Sequence, residues 1–159
     1  MSIPNHESAP YKSESSALPG RILAIDFGLK RVGLAVSDPM RIIASALDTV
    51  TYKSRRELLR RLVEVVQKNE ITQVVMGLPR HMDGREGEMA KMVRQLIDEL
   101  AKLVAVPVVA WDERLSSVQA ERALREMGVR ARDTKRGEVD RLAAVFILQS
   151  YLDSMTRTR

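Results

Sequence analysis

The most constraining feature of the sequence is a run of apolar residues that ends in an aspartate, Ile22 to Asp26. A second apolar run, Val32–Val36, follows after the five residues Phe27–Arg31. Two short apolar runs this close together predict two β-strands joined by a tight connection. A carboxylate at the end of a buried strand costs free energy unless something cationic compensates its charge. The pattern therefore predicts a sheet with a specialised site at the end of its first strand.

The remaining elements predict how this sheet continues. Ile42–Val50 follows an Asp-Pro turn signal and predicts a third strand, and Ser54 with Glu57 forms a capping-box pattern that predicts the start of a helix. The further predicted elements are strand Thr72–Gly77, helix Glu86–Val104, strand Pro107–Trp111, helix Ser116–Met127 and helix Glu138–Leu152. This order predicts an α/β fold with a five-stranded mixed sheet, three antiparallel strands followed by parallel βα units, and helices on both faces.

Length and composition predict a single small domain. The chain has 159 residues, and we expect a flexible N-terminal tail over residues 1–20, one domain over residues 21–153 and a basic C-terminal tail over residues 154–159. It contains no cysteine, which excludes disulfides, thiolate metal sites and a cysteine nucleophile. No apolar stretch is long enough for a signal peptide or a membrane span. We therefore expect a cytoplasmic protein with no membrane partner.

An excess of basic residues predicts a polyanionic partner. The formal net charge is +5, with 26 Lys and Arg against 21 Asp and Glu. A first basic cluster lies between Lys53 and Arg61. The second cluster supplies the candidate nucleic-acid-binding residues Arg114, Arg122, Arg125, Arg132, Lys135 and Arg136. Lys30 and Arg31 follow Asp26 closely, and we expect them to contact phosphates near the reacting bond. A solvated helix face is the alternative explanation for such clusters.

Acidic residues are predicted to gather at one edge of the sheet. If the strands ending at Asp26, Gly77 and Trp111 are parallel to one another, their carboxyl ends lie along the edge where open α/β sheets bind ligands. This arrangement brings Asp26 close to Asp112 and Glu113. Asp140, in the first turn of the last helix, supplies a further acid.

Clustered carboxylates predict a metal site. Such groups repel one another, and hard divalent cations such as Mg²⁺ or Mn²⁺ relieve that repulsion. Two such ions can activate a water and stabilise the leaving oxygen of a phosphodiester, so the cluster favours a nuclease. Each acid alone also has a structural explanation: Asp26 as a turn cap, Asp112 as a partner of Arg114, and Asp140 as a favourable charge at a helix start.

Four ordered motifs resemble the YqgF (RuvX) family. They are Asp26–Asp38 (DFGLKRVGLAVSD), Gly77-Leu-Pro79 with Met82-Asp-Gly84, Asp112-Glu-Arg-Leu115, and Asp140–Ala144 (DRLAA) followed by Ile147–Leu152. The resemblance implies an RNase H-like fold and metal-dependent phosphodiester cleavage by a Holliday junction resolvase or a pre-16S ribosomal RNA nuclease. It also implies Asp26, Glu113 and Asp140 as catalytic acids and metal ligands, although Asp112 beside Glu113 leaves the second ligand open. The sequence departs from the family at Arg80-His81, where Leu-Asn is more usual.

Two other functions are compatible with parts of the pattern. A strand followed by Asp-x-Gly also resembles the first phosphate loop of actin-like ATPases, but those folds need two such domains and this chain has room for one. A nucleic-acid-binding module without catalysis is the other alternative, which the acid cluster disfavours because carboxylates repel phosphate. Neither basic cluster contains a base-reading motif, so structured RNA and branched DNA both remain open as partners, as do a monomer and a homodimer.

Overall fold

The computed structural model describes residues 18–115 and 136–157, with the side chains of the last helix described over residues 141–156. The elements are β1 Arg21–Asp26, β2 Arg31–Ser37, β3 Ala44–Ala46, β4 Val50–Thr51, α1 Arg55–Lys68, β5 Ile71–Leu78, α2 Glu88–Leu103, β6 Val108–Asp112 and α3 Arg136–Arg157. The predicted helix Ser116–Met127 lies outside these residues. No helix in the described part of the chain is long and apolar enough to span a membrane.

The strands form one mixed sheet in the order β3-β2-β1-β5-β6, with β4 also paired to β2. Strand β1 is antiparallel to β2 and parallel to β5, and β5 is parallel to β6. The predicted α/β fold is therefore confirmed, although the sheet has six strands where five were predicted. The central strands are apolar along most of their length because both of their faces are buried.

Helices cover both faces of the sheet, as predicted. Helices α1 and α2 bury their apolar faces against one side, where the shared core includes Leu58 and Leu96. Helix α3 covers the other side with Ala144, Ile147 and Leu148. Because successive strand residues point to opposite faces, β1 contributes Leu23 and Ile25 to the first core and Ile22 and Ala24 to the second. Full burial of each such large apolar side chain stabilises the fold by about 1.5–3 kcal/mol.

The predicted third strand, Ile42–Val50, is wrong as a continuous element. Three residues separate β3 from β4, whereas the facing stretch of β2 between its paired positions 32 and 35 contains two. The extra residue interrupts the ladder in the manner of a β-bulge. The N–H groups of residues 42 and 43 both donate to Asp38 Oδ1 at 2.7 Å. These residues therefore belong to a turn, and the strand starts at Ala44.

The helix boundaries also refine the prediction. Ser54 caps α1, as predicted, because its hydroxyl accepts the Glu57 N–H at 3.2 Å. Leu103, an apolar residue of the predicted helix Glu86–Val104, is 54% exposed because α2 ends there. Helix α3 continues to Arg157, beyond the predicted end at Leu152, so residues 154–157 of the predicted tail are helical. The extension packs Met155 against the apolar face of the sheet.

Candidate active site

The strands β1, β5 and β6 end side by side at Asp26, Leu78 and Asp112, and we call this side of the sheet the acid edge. Asp26 continues the strand alternation of Ile22 and Ala24, which places its carboxyl group on the face covered by α3. Glu113 directly follows β6, and its N–H donates to the carbonyl oxygen of Leu78 at 3.1 Å. The side chains of Asp26 and Glu113 are hydrogen bonded to each other. The structure thus brings together two of the predicted acids.

The space for the Glu113 carboxyl group is created by Gly77. A Cβ atom at position 77 would lie 2.6 Å from Glu113 Oε1 and 2.7 Å from Ile147 Cδ1. Both distances are too short for non-bonded atoms, so a side chain at position 77 would displace the acid from its place between β5 and α3. Sequence reasoning treated Gly77 as the end of a strand and missed this role. The available signal was a glycine inside an apolar strand, which often marks a close approach by another group.

Burial and charge perturb Glu113. Removal from water raises the pKa of Glu113, the hydrogen bond with Asp26 opposes that rise, and the nearby charge of Asp112 adds to it. Two carboxyl groups this close disfavour two negative charges, and a bound cation would relieve that repulsion. A converging pair of oxygen donors in a partly buried site suits Mg²⁺ or Mn²⁺. The residues present therefore fit a divalent metal.

Asp112 occupies a different environment from Glu113. It lies on the face of β6 that carries Val108, opposite to the face of Trp111. Its Oδ2 accepts a hydrogen bond from Arg114 Nη2 at 2.6 Å, and Arg80 Nη1 lies 3.6 Å from the same oxygen. The Arg114 guanidinium holds the pKa of Asp112 below its ordinary value. Asp112 is therefore an ionised carboxylate that two guanidinium groups already neutralise.

Asp140 lies in α3, one turn before the buried Ala144 and two turns before Ile147. This spacing puts it on the helical face that packs against the sheet. The described side chains of α3 begin at Arg141. Over residues 18–115 and 141–156, no group of three or more His, Asp or Glu side chains forms a potential metal site. The role of Asp140 as a third ligand therefore stays a prediction.

The predicted phosphate contacts fall into two groups. Lys30 is exposed on the β1–β2 turn and Arg31 begins β2, so both lie at the acid edge beside Asp26. The turn is anchored by Tyr52, whose hydroxyl donates to the Gly28 carbonyl oxygen at 2.7 Å. The other group extends from Arg114, described above, through residues outside the described part of the chain, which are Arg122, Arg125, Arg132 and Lys135. Arg136 begins α3, but its side chain is not among those described.

The Arg80-His81 departure lies in the loop of residues 79–87, between β5 and α2, which we call the 79–87 loop. Arg80 is paired with Glu86 at 3.3 Å, in addition to its contact with Asp112. Glu86 also accepts hydrogen bonds from Arg94 at 2.8 and 2.5 Å. His81 is exposed. Arg80 therefore joins the loop to β6 and, through Glu86, to α2.

A mixed sheet of this order with acids at the ends of β1 and β6 defines an RNase H-like protein, and solved structures support this class. The Thermus thermophilus RuvC protein in complex with Holliday junction substrate superposes with a TM-score of 0.57 at 18% identity, over 86% of this chain and 96% of that one. The Fowlpox virus resolvase, in complex with Holliday junction DNA, gives 0.53 at 13% identity, over 85% of this chain and 98% of that one. At these identities the likeness establishes the fold alone.

Sequence comparison then establishes the family. The sequence profile of the RuvX family, described as Holliday junction resolvase, matches residues 20–154. A relative from Koribacter versatilis is 48% identical over 141 residues, which cover 88% of this chain and 91% of that protein. A relative from Protochlamydia amoebophila is 45% identical over 148 residues, which cover 89% and 98%. Both relatives are named "Putative pre-16S rRNA nuclease". The chain belongs to the RuvX (YqgF) family, which confirms the resemblance found in its motifs.

Proposed function

We propose that the protein is a divalent-metal-dependent nuclease that cuts a phosphodiester bond in structured RNA, and that its substrate is the 5′ end of precursor 16S ribosomal RNA in the cytoplasm. The observation that carries the proposal is the pair of carboxyl groups, Asp26 and Glu113, that meet beside Gly77 at the acid edge. The names of the relatives supply the RNA substrate.

Within this proposal, Asp26 and Glu113 hold Mg²⁺ or Mn²⁺, with Asp140 as the third ligand. When bound, two such ions supply an activated water and stabilise the leaving oxygen. Asp112 has a different task, because it holds the Arg114 guanidinium beside the site. Lys30 and Arg31 attract the phosphate backbone by charge, and so do the arginines and lysine of the 122–136 segment.

Cleavage of a DNA Holliday junction is the second candidate, because the family that matches residues 20–154 is described by that activity. The two substrates make different demands on assembly. Resolution of a junction needs two cuts on opposed strands, which favours a homodimer, whereas trimming an RNA end needs one active site. Light scattering of the protein with and without a synthetic junction therefore helps to separate the two candidates.

The test is cleavage of a panel of DNA junctions and precursor 16S rRNA fragments by the purified protein with Mg²⁺, with Mn²⁺ and with a chelator. We expect metal-dependent cleavage of the RNA fragments. Asp26→Asn preserves side-chain size and removes a ligand charge, so we expect it to abolish cleavage. The matched control is Asp98→Asn, which makes the same change at an exposed position of α2.

Three outcomes separate the hypotheses. Cleavage of junctions alone transfers the assignment to the second candidate. Wild-type turnover by Asp26→Asn contradicts the nuclease site. Thermal stabilisation by ATP without cleavage of any nucleic acid supports the actin-like alternative instead. Circular dichroism of both variants checks that the fold is preserved.

A further inference from the structure

The 79–87 loop is fixed by its own hydrogen bonds. The His81 N–H donates to the Arg85 carbonyl oxygen at 2.9 Å, and the Gly84 N–H donates to the His81 carbonyl oxygen at 2.8 Å. Asp83 accepts the Arg85 N–H at 3.0 Å and pairs with the Arg85 guanidinium at 2.6 Å. Gly84 has a φ of +89°, which glycine adopts without strain. The loop is therefore a tight, preformed turn.

The apex of this turn presents Met82. The Met82 side chain is 87% exposed, more than any other large hydrophobic residue in the described part of the chain. A single exposed apolar residue needs no explanation by itself. This one is unusual because a network of hydrogen bonds and ion pairs holds its backbone in place while its side chain contacts almost nothing. Ordering a loop around an unsupported apolar side chain has no evident benefit for folding.

The position of Met82 relates it to the acids. Arg114 Nη1 donates to the Met82 carbonyl oxygen at 3.4 Å, and Arg114 directly follows Glu113. The same guanidinium is held by Asp112. The tip of the loop is thus connected to the acid edge through one arginine. Leu29 and Leu115, 62% and 55% exposed, belong to the segments that follow β1 and β6 at the same edge.

We propose that Met82 is a specificity-determining residue that packs against an unstacked base next to the cleaved phosphate. This inference rests on the proposed function and refines its substrate to nucleic acid with unpaired nucleotides. The charges at the site act on phosphates, which are present in every sequence and every duplex. An exposed thioether side chain can distinguish between nucleic-acid structures, because its contact is favourable only with an apolar surface such as the face of a base.

A regular duplex does not offer that surface. Base faces are covered by stacking in a helix, and the deep, narrow major groove of A-form RNA excludes side chains. Loops, bulges and junction centres expose base faces at little cost. Met82 therefore favours substrates in which at least one base beside the cut is already unpaired.

The test compares three RNA probes with the same flanking sequence: a fully paired duplex, the duplex with a two-nucleotide bulge, and the duplex with an abasic bulge. Affinity is measured by fluorescence anisotropy with Mg²⁺ in an Asp26→Asn background, which separates binding from cleavage. The variants are Met82→Ala, Met82→Leu and the matched control Met40→Ala. Met40 is also exposed and lies in a turn whose N–H groups donate to Asp38, but this turn follows β2 at the opposite edge of the sheet.

We expect Met82→Ala to weaken binding of the bulged probe about two- to tenfold and to leave the paired and abasic probes unchanged. Met82→Leu retains the apolar contact and should restore most of the affinity, and Met40→Ala should change nothing. Equal weakening of all three probes, or no change in any, overturns the inference. If Met82→Ala weakens only the bulged probe but the wild-type protein cuts no nucleic acid with metal, the proposed function fails, and the packing of Met82 against an unstacked base is retained without its role in cleavage specificity.

Discussion

A single methyl group at Gly77 tests whether the position of Glu113 matters to the proposed chemistry. In Gly77→Ala the new Cβ would lie 2.6 Å from Glu113 Oε1 and 2.7 Å from Ile147 Cδ1. Comfortable contacts begin near 3.5 Å, so the carboxyl oxygen must move by roughly 0.9 Å. Both crowded atoms are the ends of flexible side chains. We therefore expect a modest overpacking cost of about 1–3 kcal/mol in the free energy of unfolding.

The expected effect on activity is larger than the effect on stability. Displacement of a catalytic group by about 1 Å costs on the order of 10²-fold in rate, so we expect cleavage to fall between about 10- and 100-fold. Urea denaturation gives the stability, and single-turnover cleavage gives the rate. Calorimetric titration of Gly77→Ala with Mn²⁺ should show weaker metal binding than in the wild-type protein.

A second variant separates packing from position. Ile147→Val removes the Cδ1 atom that the new methyl group crowds, but it leaves the contact with Glu113 unchanged. The double variant Gly77→Ala/Ile147→Val should therefore recover part of the stability and none of the activity. The matched control is Ile147→Val alone, which should cost about 0.5–1.5 kcal/mol and cut normally. Wild-type cleavage and metal affinity in Gly77→Ala would refute the reasoning.

Two further predictions concern carboxylates with different partners. Glu113→Gln should lose nearly all cleavage. Asp112→Asn should retain measurable activity and lose about 1–3 kcal/mol of stability, because it removes the carboxylate that binds the Arg114 guanidinium and one of the two that Arg80 contacts. Cleavage assays and urea denaturation of both variants check this, and the reverse pattern would make Asp112 the ligand. The pKa of Asp38 is lowered below its ordinary value of 3.8 because it accepts the Ile43 N–H and then that of Ile42. A carboxylate whose pKa is lower in the folded state stabilises the fold fully at pH values above its pKa in the unfolded chain. That stabilisation is lost as the pH falls through its pKa in the folded state. Asp38→Asn should thus be less stable than wild type by about 0.5–1 kcal/mol at pH 7, after allowance for solvent screening, and the difference should shrink as the pH falls below 3.8. A difference that stays constant on acidification would contradict the role of its charge.

The fold was largely predictable because its signals are local and periodic. Apolar runs identified β1, β2, β5 and β6, and the Ser54–Glu57 pattern identified the start of α1. The parallel order of β1, β5 and β6 then predicted that Asp26 would lie close to Asp112 and Glu113 at one edge. None of these inferences needed a distance, because strand direction alone fixes which ends lie together.

The unpredicted features depend on side chains that compete with regular structure. The apolar residues 42 and 43 were predicted to lie in a strand, but the Asp38 carboxylate accepts hydrogen bonds from their N–H groups and holds them in a turn. Gly77 reads as a strand end, and its role appears only when the Glu113 side chain is placed over it. The sequence shows Arg80 only as a departure from the family pattern. Its ion pairs could not be predicted because the fold brings Glu86 and Asp112 beside it. Such contacts are set by three-dimensional proximity rather than by spacing along the chain.

Asp112 and Glu113 show how two neighbouring acids acquire different properties. Strand alternation sends Asp112 to one face of β6 and directs Glu113 toward the other. On the first face two guanidinium groups lower the pKa of the carboxyl group, whereas on the second face burial raises it. The charge of Asp112 is thereby neutralised by the protein itself, whereas Asp26 and Glu113 bring two carboxyl groups together whose repulsion a bound cation would relieve. Divergent pKa values in adjacent acids often identify separate roles, and here they favour Glu113 as the metal ligand and Asp112 as the residue that positions Arg114.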